Sequence, residues 1–124
     1  MAVDRPAPEL TRQTFHLAPR SVWDETDHAN LYEAASLEHE GFIHCTDGIE
    51  ALGATFDRYF LADPRPFVAL TVDLDMLGVP WRYDVPASPY PHIYGPIHRG
   101  AIVAVSAVER SPDGRFDRLR VIRG

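Results

Sequence analysis

Gly41-Phe42-Ile43-His44-Cys45-Thr46-Asp47-Gly48-Ile49-Glu50 is the stretch from which the fold can be read outward. Its first half, Gly41 to Cys45, is short and mostly apolar, as a strand requires. In its second half Asp47 and Glu50 stand three apart, the spacing of a capping box. Ile49, Leu52, Phe56 and Phe60 then recur at helical spacing. A strand therefore feeds directly into an amphipathic helix. Extended backbone puts Phe42 and His44 on one face and Ile43 and Cys45 on the other. Thr46 is left beside the free N–H groups of the helix start, where backbone donors and the macrodipole favour an anion.

Toward the C-terminus, Pro64 and Pro66 end the helix, and Phe67 to Val72 has the length and β-branched content of a buried strand. Trp81-Arg82-Tyr83 and Ser88 to Pro96 are rich in proline and aromatic residues and predict short edge strands separated by turns. Ala101 to Val108 predicts a central strand, Ser111-Pro112-Asp113-Gly114 a turn, and Arg115 to Val121 a last alternating strand. Toward the N-terminus, the pattern from Tyr32 to Glu40 fits neither helix nor strand uniquely. Pro19 suits the first turn of a helix through about Thr26 with Val22 and Trp23 buried, and Thr14 to Leu17 alternates like a strand. Residues 1–12 carry no periodic apolar pattern and predict a flexible lead-in. Residues 13–124 then form a single α+β domain with two or three helices.

The 124 residues suffice for one domain with its own core. A net charge of −6 argues against a broad nucleic-acid surface, which needs clustered cations to release counterions. The chain has no lysine, so its 12 basic residues are all arginines, suited to gripping a compact phosphate or carboxylate in bidentate fashion. Apolar runs stop well short of the ~18 residues of a membrane span. The single cysteine and an N-terminus without the apolar segment of a secretory signal predict a cytoplasmic protein.

Three elements can carry chemistry. His44 and Thr46 offer an imidazole and a hydroxyl beside a helix start. In Pro91-His92-Ile93-Tyr94-Gly95-Pro96, His92 and Tyr94 are two apart and point to the same side of a stiff segment, an arrangement that suits a ring-shaped ligand. His16 joins them if its strand lies near that of His44. Each also has a structural explanation: a helix cap for Thr46, satisfied half-buried rings for the histidines, a core cover for Tyr94. His28, His39 and His98 sit in polar or turn contexts and read as surface residues. Cys45 lies on the face opposite His44, as a core residue does. Zinc held by His16, His44 and His92 is disfavoured, because no two of them have short ligand spacing, so no metal is assigned.

The order FHLAPRSVW (15–23), ASLEHEGFIHCT (35–46), FVALTVDLDML (67–77) and YPHIYGPI (90–97) resembles the bacterial family catalogued as domain of unknown function 952. That family is grouped with the ADP-ribosyltransferase-like fold, near the RNA 2'-phosphotransferases. The resemblance implies a small split-sheet domain with NAD or an ADP-ribosyl group held in a cleft between two sheets. It implies that His16 positions a ribose and that His44 and Thr46 line the nicotinamide side; in the reading built on it Thr46 holds an anion and Tyr94 stacks on a base, so that His16, Thr46 and Tyr94 bind the substrate. His44 and His92 then carry the catalytic proton transfers. The late glutamate of mono-ADP-ribosyl transferases has Glu109 as its candidate here, while the phosphotransferases' arginine set has no clear counterpart. The expected function is a nucleotide-type pocket with weak ADP-ribosyl or RNA-end 2'-phosphate transfer, NAD entering as substrate rather than resident cofactor. The alternative is a small-anion-binding or regulatory module without turnover.

Overall fold

The computed structural model describes residues 12–26 and 31–124. The lead-in, apart from Arg12, and His28 lie outside them. The fold is α+β, with three α-helices among the described residues: α1 (Arg20–Glu25), α2 (Ala35–Glu40) and α3 (Ile49–Tyr59). Nine strands follow the order β1 (Gln13–Pro19), β2 (Leu31–Tyr32), β3 (Ile43–His44), β4 (Phe67–Asp73), β5 (Trp81–Arg82), β6 (His92–Ile93), β7 (Ile97–His98), β8 (Ile102–Arg110) and β9 (Phe116–Arg123). None of the described helices is long and apolar enough to cross a membrane.

The strands form three antiparallel sheets, ordered β1-β4-β8-β9, β3-β6-β5 and β2-β7. β4 has both faces covered, which is why its sequence is an unbroken apolar run. Val68, Leu70 and Val72 join Ile43, Ile93, Ile97 and Val105 in the main core. On the opposite face Phe67 meets Phe56 of α3 edge to face at 5.4 Å. Leu52 and Phe56 are the residues of α3 that are fully buried, whereas Ile49 is half exposed. Gly53 allows α3 to approach β9, since a Cβ there would lie 2.8 Å from Phe116 Cδ2.

Several sequence expectations change here. The helix α3 begins at Ile49 after Gly48, whose φ of 83° takes the left-handed conformation that favours glycine, and no side chain caps it. The Asp47 carboxylate instead accepts a hydrogen bond from Tyr83, so the capping-box reading fails. The predicted edge strand around His92 is the centre of its sheet, between β3 and β5. The ambiguous stretch before Gly41 resolves into β2 and α2, and α2 ends at Gly41 in the left-handed conformation with φ 87°. The expected central strand is β8, as the apolar run requires.

The exposed flank of β1 is covered by the segment after β3. Phe15 N donates to Thr46 O at 2.9 Å and Thr46 N to Phe15 O at 2.8 Å, joining the large sheet to the β3-β6-β5 sheet. The Phe56→Ala variant is expected to lose about 3–5 kcal/mol of unfolding free energy in urea titration, because Phe60, Phe67 and Phe116 all pack on the ring it removes.

Candidate functional site

Alternation along β1 buries Thr14, His16 and Ala18 together. The bridge between Phe15 and Thr46 brings the β3 backbone within reach of the His16 ring. His16 Nδ1 donates to the carbonyl of His44 at 2.7 Å, which fixes the tautomer. Nε2 is then an acceptor, and the Tyr32 hydroxyl donates to it at 2.9 Å. One buried imidazole thus ties together β1, β2 and β3, which belong to three different sheets. Burial depresses its pKa from 6.5 to about 4, and the hydrogen bond to the His44 carbonyl only partly offsets that shift. Burial likewise pushes the Tyr32 and Cys45 acids upward, and Cys45 is a core residue, as expected.

His44 and His92 are cross-strand partners on β3 and β6, with ring centroids 5.6 Å apart. Each is held by a carboxylate. His92 Nδ1 donates to Asp84 at 2.7 Å, leaving Nε2 to face a ligand. His44 Nε2 lies 3.1 and 3.2 Å from the two Glu40 oxygens, leaving Nδ1. Phe42 stacks on the His92 ring at 3.9 Å with 15° between the planes. Asp84 also accepts from Tyr94 and from Arg82 Nε, the latter at 2.7 Å. These bonds, the Tyr94 hydroxyl foremost, hold its carboxyl well below the usual carboxylate range. At the neighbouring Asp47, burial and the carboxylate push the Tyr83 hydroxyl up to about 12.

A predominantly apolar cleft of about 1100 Å³ opens beside these groups. His16 and Val22 line it from the β1–α1 side, His44, Thr46 and His92 from the small sheet, and Glu40 from the end of α2. Thr55, Arg58 and Tyr59 of α3 and Val85 and Tyr90 of the β5–β6 connection complete its wall. The cleft brings together four of the five residues singled out in the sequence. Tyr94 is not among its lining residues: its hydroxyl is bound to Asp84 and its ring lies under the Arg82 guanidinium at 4.1 Å. Thr46 lines the cleft, but the first turn of α3 does not. Glu109 is also outside, paired with Arg118 and Arg120 at 2.7 and 2.6 Å. Among the described residues no group of three or more histidine, cysteine or acidic side chains is placed to hold a metal ion.

The sequence does not single out Tyr32, Glu40, Asp84 or the α3 side chains Thr55, Arg58 and Tyr59 as site residues. For Asp84 a signal was present: Arg82 and Asp84, like His92 and Tyr94, are two apart, so one pairing of these strands puts all four on one face.

Three comparisons bear on kinship. The sequence model of the family described as "Protein of unknown function (DUF952)" matches residues 17–105. Crystal structures of protein CC0527 from Caulobacter crescentus, wild type and a double mutant, are 22% and 21% identical, with a TM-score of 0.70. Each comparison covers 86% of this chain and 94% of the other. The solution structure of the same protein is 23% identical over 83% of this chain and 90% of that one, with a TM-score of 0.66. At these identities the likeness establishes the fold alone. No curated protein matches the chain.

The depressed pKa of His16 gives a pH dependence of definite sign. Between pH 6.5 and about 4 the unfolded chain takes up a proton on this residue that the folded chain excludes, so stability falls as pH drops through that window. The loss by pH 4 is of order 3 kcal/mol. Urea unfolding at pH 7.5, 6 and 5 should therefore show a steeper acid loss for the wild type than for His16→Asn, and equal slopes would refute the assignment. Tyr32→Phe, which strips Nε2 of its donor, should cost about 1–3 kcal/mol at pH 7.5.

Proposed function

The chain belongs to the family described as protein of unknown function (DUF952), and on that premise we propose that its cleft takes a nucleotide-type ligand, an NAD or ADP-ribosyl group. The observation that carries this reading is the gathering of His16, His44, His92 and Thr46 on one apolar cleft of about 1100 Å³. That volume lies just above the ~300–1,000 Å³ typical of small-molecule sites, enough for a dinucleotide. Exposed Tyr59 and Tyr90 on the wall suit a flat base, to which rigid aromatic side chains contribute stacking. Tyr94, expected at first to stack on that base, instead serves the site by holding Asp84 against His92.

In this proposal the domain is of the ADP-ribosyltransferase-like, split-sheet kind and works in the cytoplasm. Weak transfer of an ADP-ribosyl group, or of an RNA-end 2'-phosphate, is its reaction class. His92, held by Asp84 through Nδ1, has Nε2 available to accept the proton of an attacking hydroxyl. As that oxygen bonds to the ribose carbon, the nicotinamide leaves with the pair of electrons of its bond and departs as a neutral base. His44, held by Glu40, lies across from His92 to assist the leaving side. His16 shapes the cleft wall and contributes no proton transfer, since both its nitrogens are already bonded.

A second reading, a non-catalytic small-anion-binding or regulatory module, is favoured by one observation. Glu109, the late acidic residue, is bound to two arginines away from the cleft. Calorimetry with NAD and ADP-ribose, followed by assay for nicotinamide release, separates the two. We expect ADP-ribose binding, release of nicotinamide from NAD, and loss of release by at least about a hundredfold in His92→Asn, the range for removing a general base. Because His44 is exposed, His44→Ala should leave the melting temperature nearly unchanged while reducing release. Binding without release supports the module, and no binding of either compound refutes the nucleotide reading.

A further inference from the structure

Thr55, Arg58 and Tyr59 stand three and four residues apart on α3, so they share one helix face, and all three line the cleft. Thr55 Oγ1 is shut off from solvent and has no hydrogen-bond partner among the described residues. A buried hydroxyl left unpaired costs free energy, and because a helical threonine has two open χ1 rotamers, rotation can turn the hydroxyl from the wall toward a ligand in the cleft that Thr55 lines. Arg58, one turn on, is exposed, and its guanidinium lies 5.4 Å from the Tyr59 ring centroid. No carboxylate pairs with it among the described residues. Arg65, which also lines the cleft, is by contrast neutralised by Asp63 at 2.7 Å. The acidic groups lie toward the histidines instead: Glu40 holds His44 and Asp84 holds His92.

The cleft therefore has two chemically different regions, one of imidazoles backed by carboxylates and one of an uncompensated guanidinium with an unpaired hydroxyl. We propose that Arg58 and Thr55 receive the phosphate or pyrophosphate of the ligand, an assignment that rests on the nucleotide reading above. Arginine offers a planar pair of donors to phosphate oxygens, and the Thr55 hydroxyl donates a further bond. This places the anion on the side of α3, away from the helix N-terminus, whose first turn does not line the cleft. Arg58 also stands in the last turn of α3, where a cation offsets the negative end of the macrodipole. That role accounts for an arginine but leaves the unpartnered hydroxyl of Thr55 unexplained.

The test is calorimetric titration of wild type, Arg58→Gln, Thr55→Val and, as a control outside the cleft, Arg120→Gln with ADP-ribose, inorganic pyrophosphate and uncharged adenosine. Arg58→Gln should weaken ADP-ribose and pyrophosphate by about ten- to a hundredfold and leave adenosine within about twofold. Thr55→Val should weaken the two anions by about three- to tenfold with a melting temperature equal to or above that of the wild type, because it removes an unpaired polar group. Arg120→Gln should bind like the wild type. An Arg58→Gln protein that melts lower yet keeps wild-type affinity for both anions overturns the assignment and leaves Arg58 a helix-end counterion. So does a wild type that binds adenosine as tightly as ADP-ribose. Pyrophosphate binding that depends on Arg58, without any binding of adenosine or ADP-ribose, sinks the nucleotide reading and upholds the anion region. Failure of all three probes to bind sinks both.

Discussion

Three sheets, one large and two small, meet at one buried imidazole. His16 leaves β1, donates a hydrogen bond from Nδ1 to the main chain of β3 and accepts one at Nε2 from the Tyr32 hydroxyl of β2. Strands of two residues such as β2 and β3 have too few ladder bonds to fix themselves, so their position is set by packing and by links of this kind. A polar ring inside a core is tolerated only when its nitrogens are satisfied, and here both are. Burial itself disfavours the charged ring, outweighing the His44 carbonyl bond that would favour it, so the ring stays neutral across the physiological range. The functional consequence is positional. The His44 carbonyl cannot move without breaking the bond, and that backbone carries the His44 side chain and pairs with the β6 strand that carries His92.

From this junction the chemistry of the cleft divides. On the small sheet each exposed or half-exposed imidazole is oriented by a carboxylate, which chooses the nitrogen that faces a ligand. Asp84 serves His92 and is itself fixed by Arg82 and Tyr94, so an aromatic side chain outside the cleft still influences what happens within it. On α3 the wall is cationic, and no carboxylate among the described residues pairs with Arg58. A ligand that spans both regions would carry an acid–base centre at one end and negative charge at the other, which a nucleotide does.

Much of the framework was legible because interior strands write long apolar runs: Phe67 to Val72, buried on both faces, and Ala101 to Val108 both became interior strands of the large sheet. The helix after His44 was legible from the helical spacing of Leu52 and Phe56, both buried. The failures have a common cause, a partner distant in sequence. Asp47 has the spacing of a helix cap, but Tyr83, 36 residues later, takes its carboxylate. Tyr94 shares a side with His92 as its spacing required, yet Asp84 and Arg82 decide what that side faces. The segment around His92 carries prolines that suggest an edge. They flank the two-residue β6 rather than interrupt it, and the strand sits in the middle of its sheet. Two-residue strands are shorter than any period that a sequence pattern can display.

The account stands or falls on the state of His16, and long-range proton–nitrogen NMR correlation of its imidazole reads that state directly. The predicted spectrum has a protonated Nδ1 and a bare, hydrogen-bonded Nε2 from pH 8 down to about pH 5.5, with protonation of Nε2 only as the pH approaches about 4. An Nε2–H tautomer, or a ring that titrates near its ordinary value of 6.5, would contradict it and remove the junction from which the cleft is built.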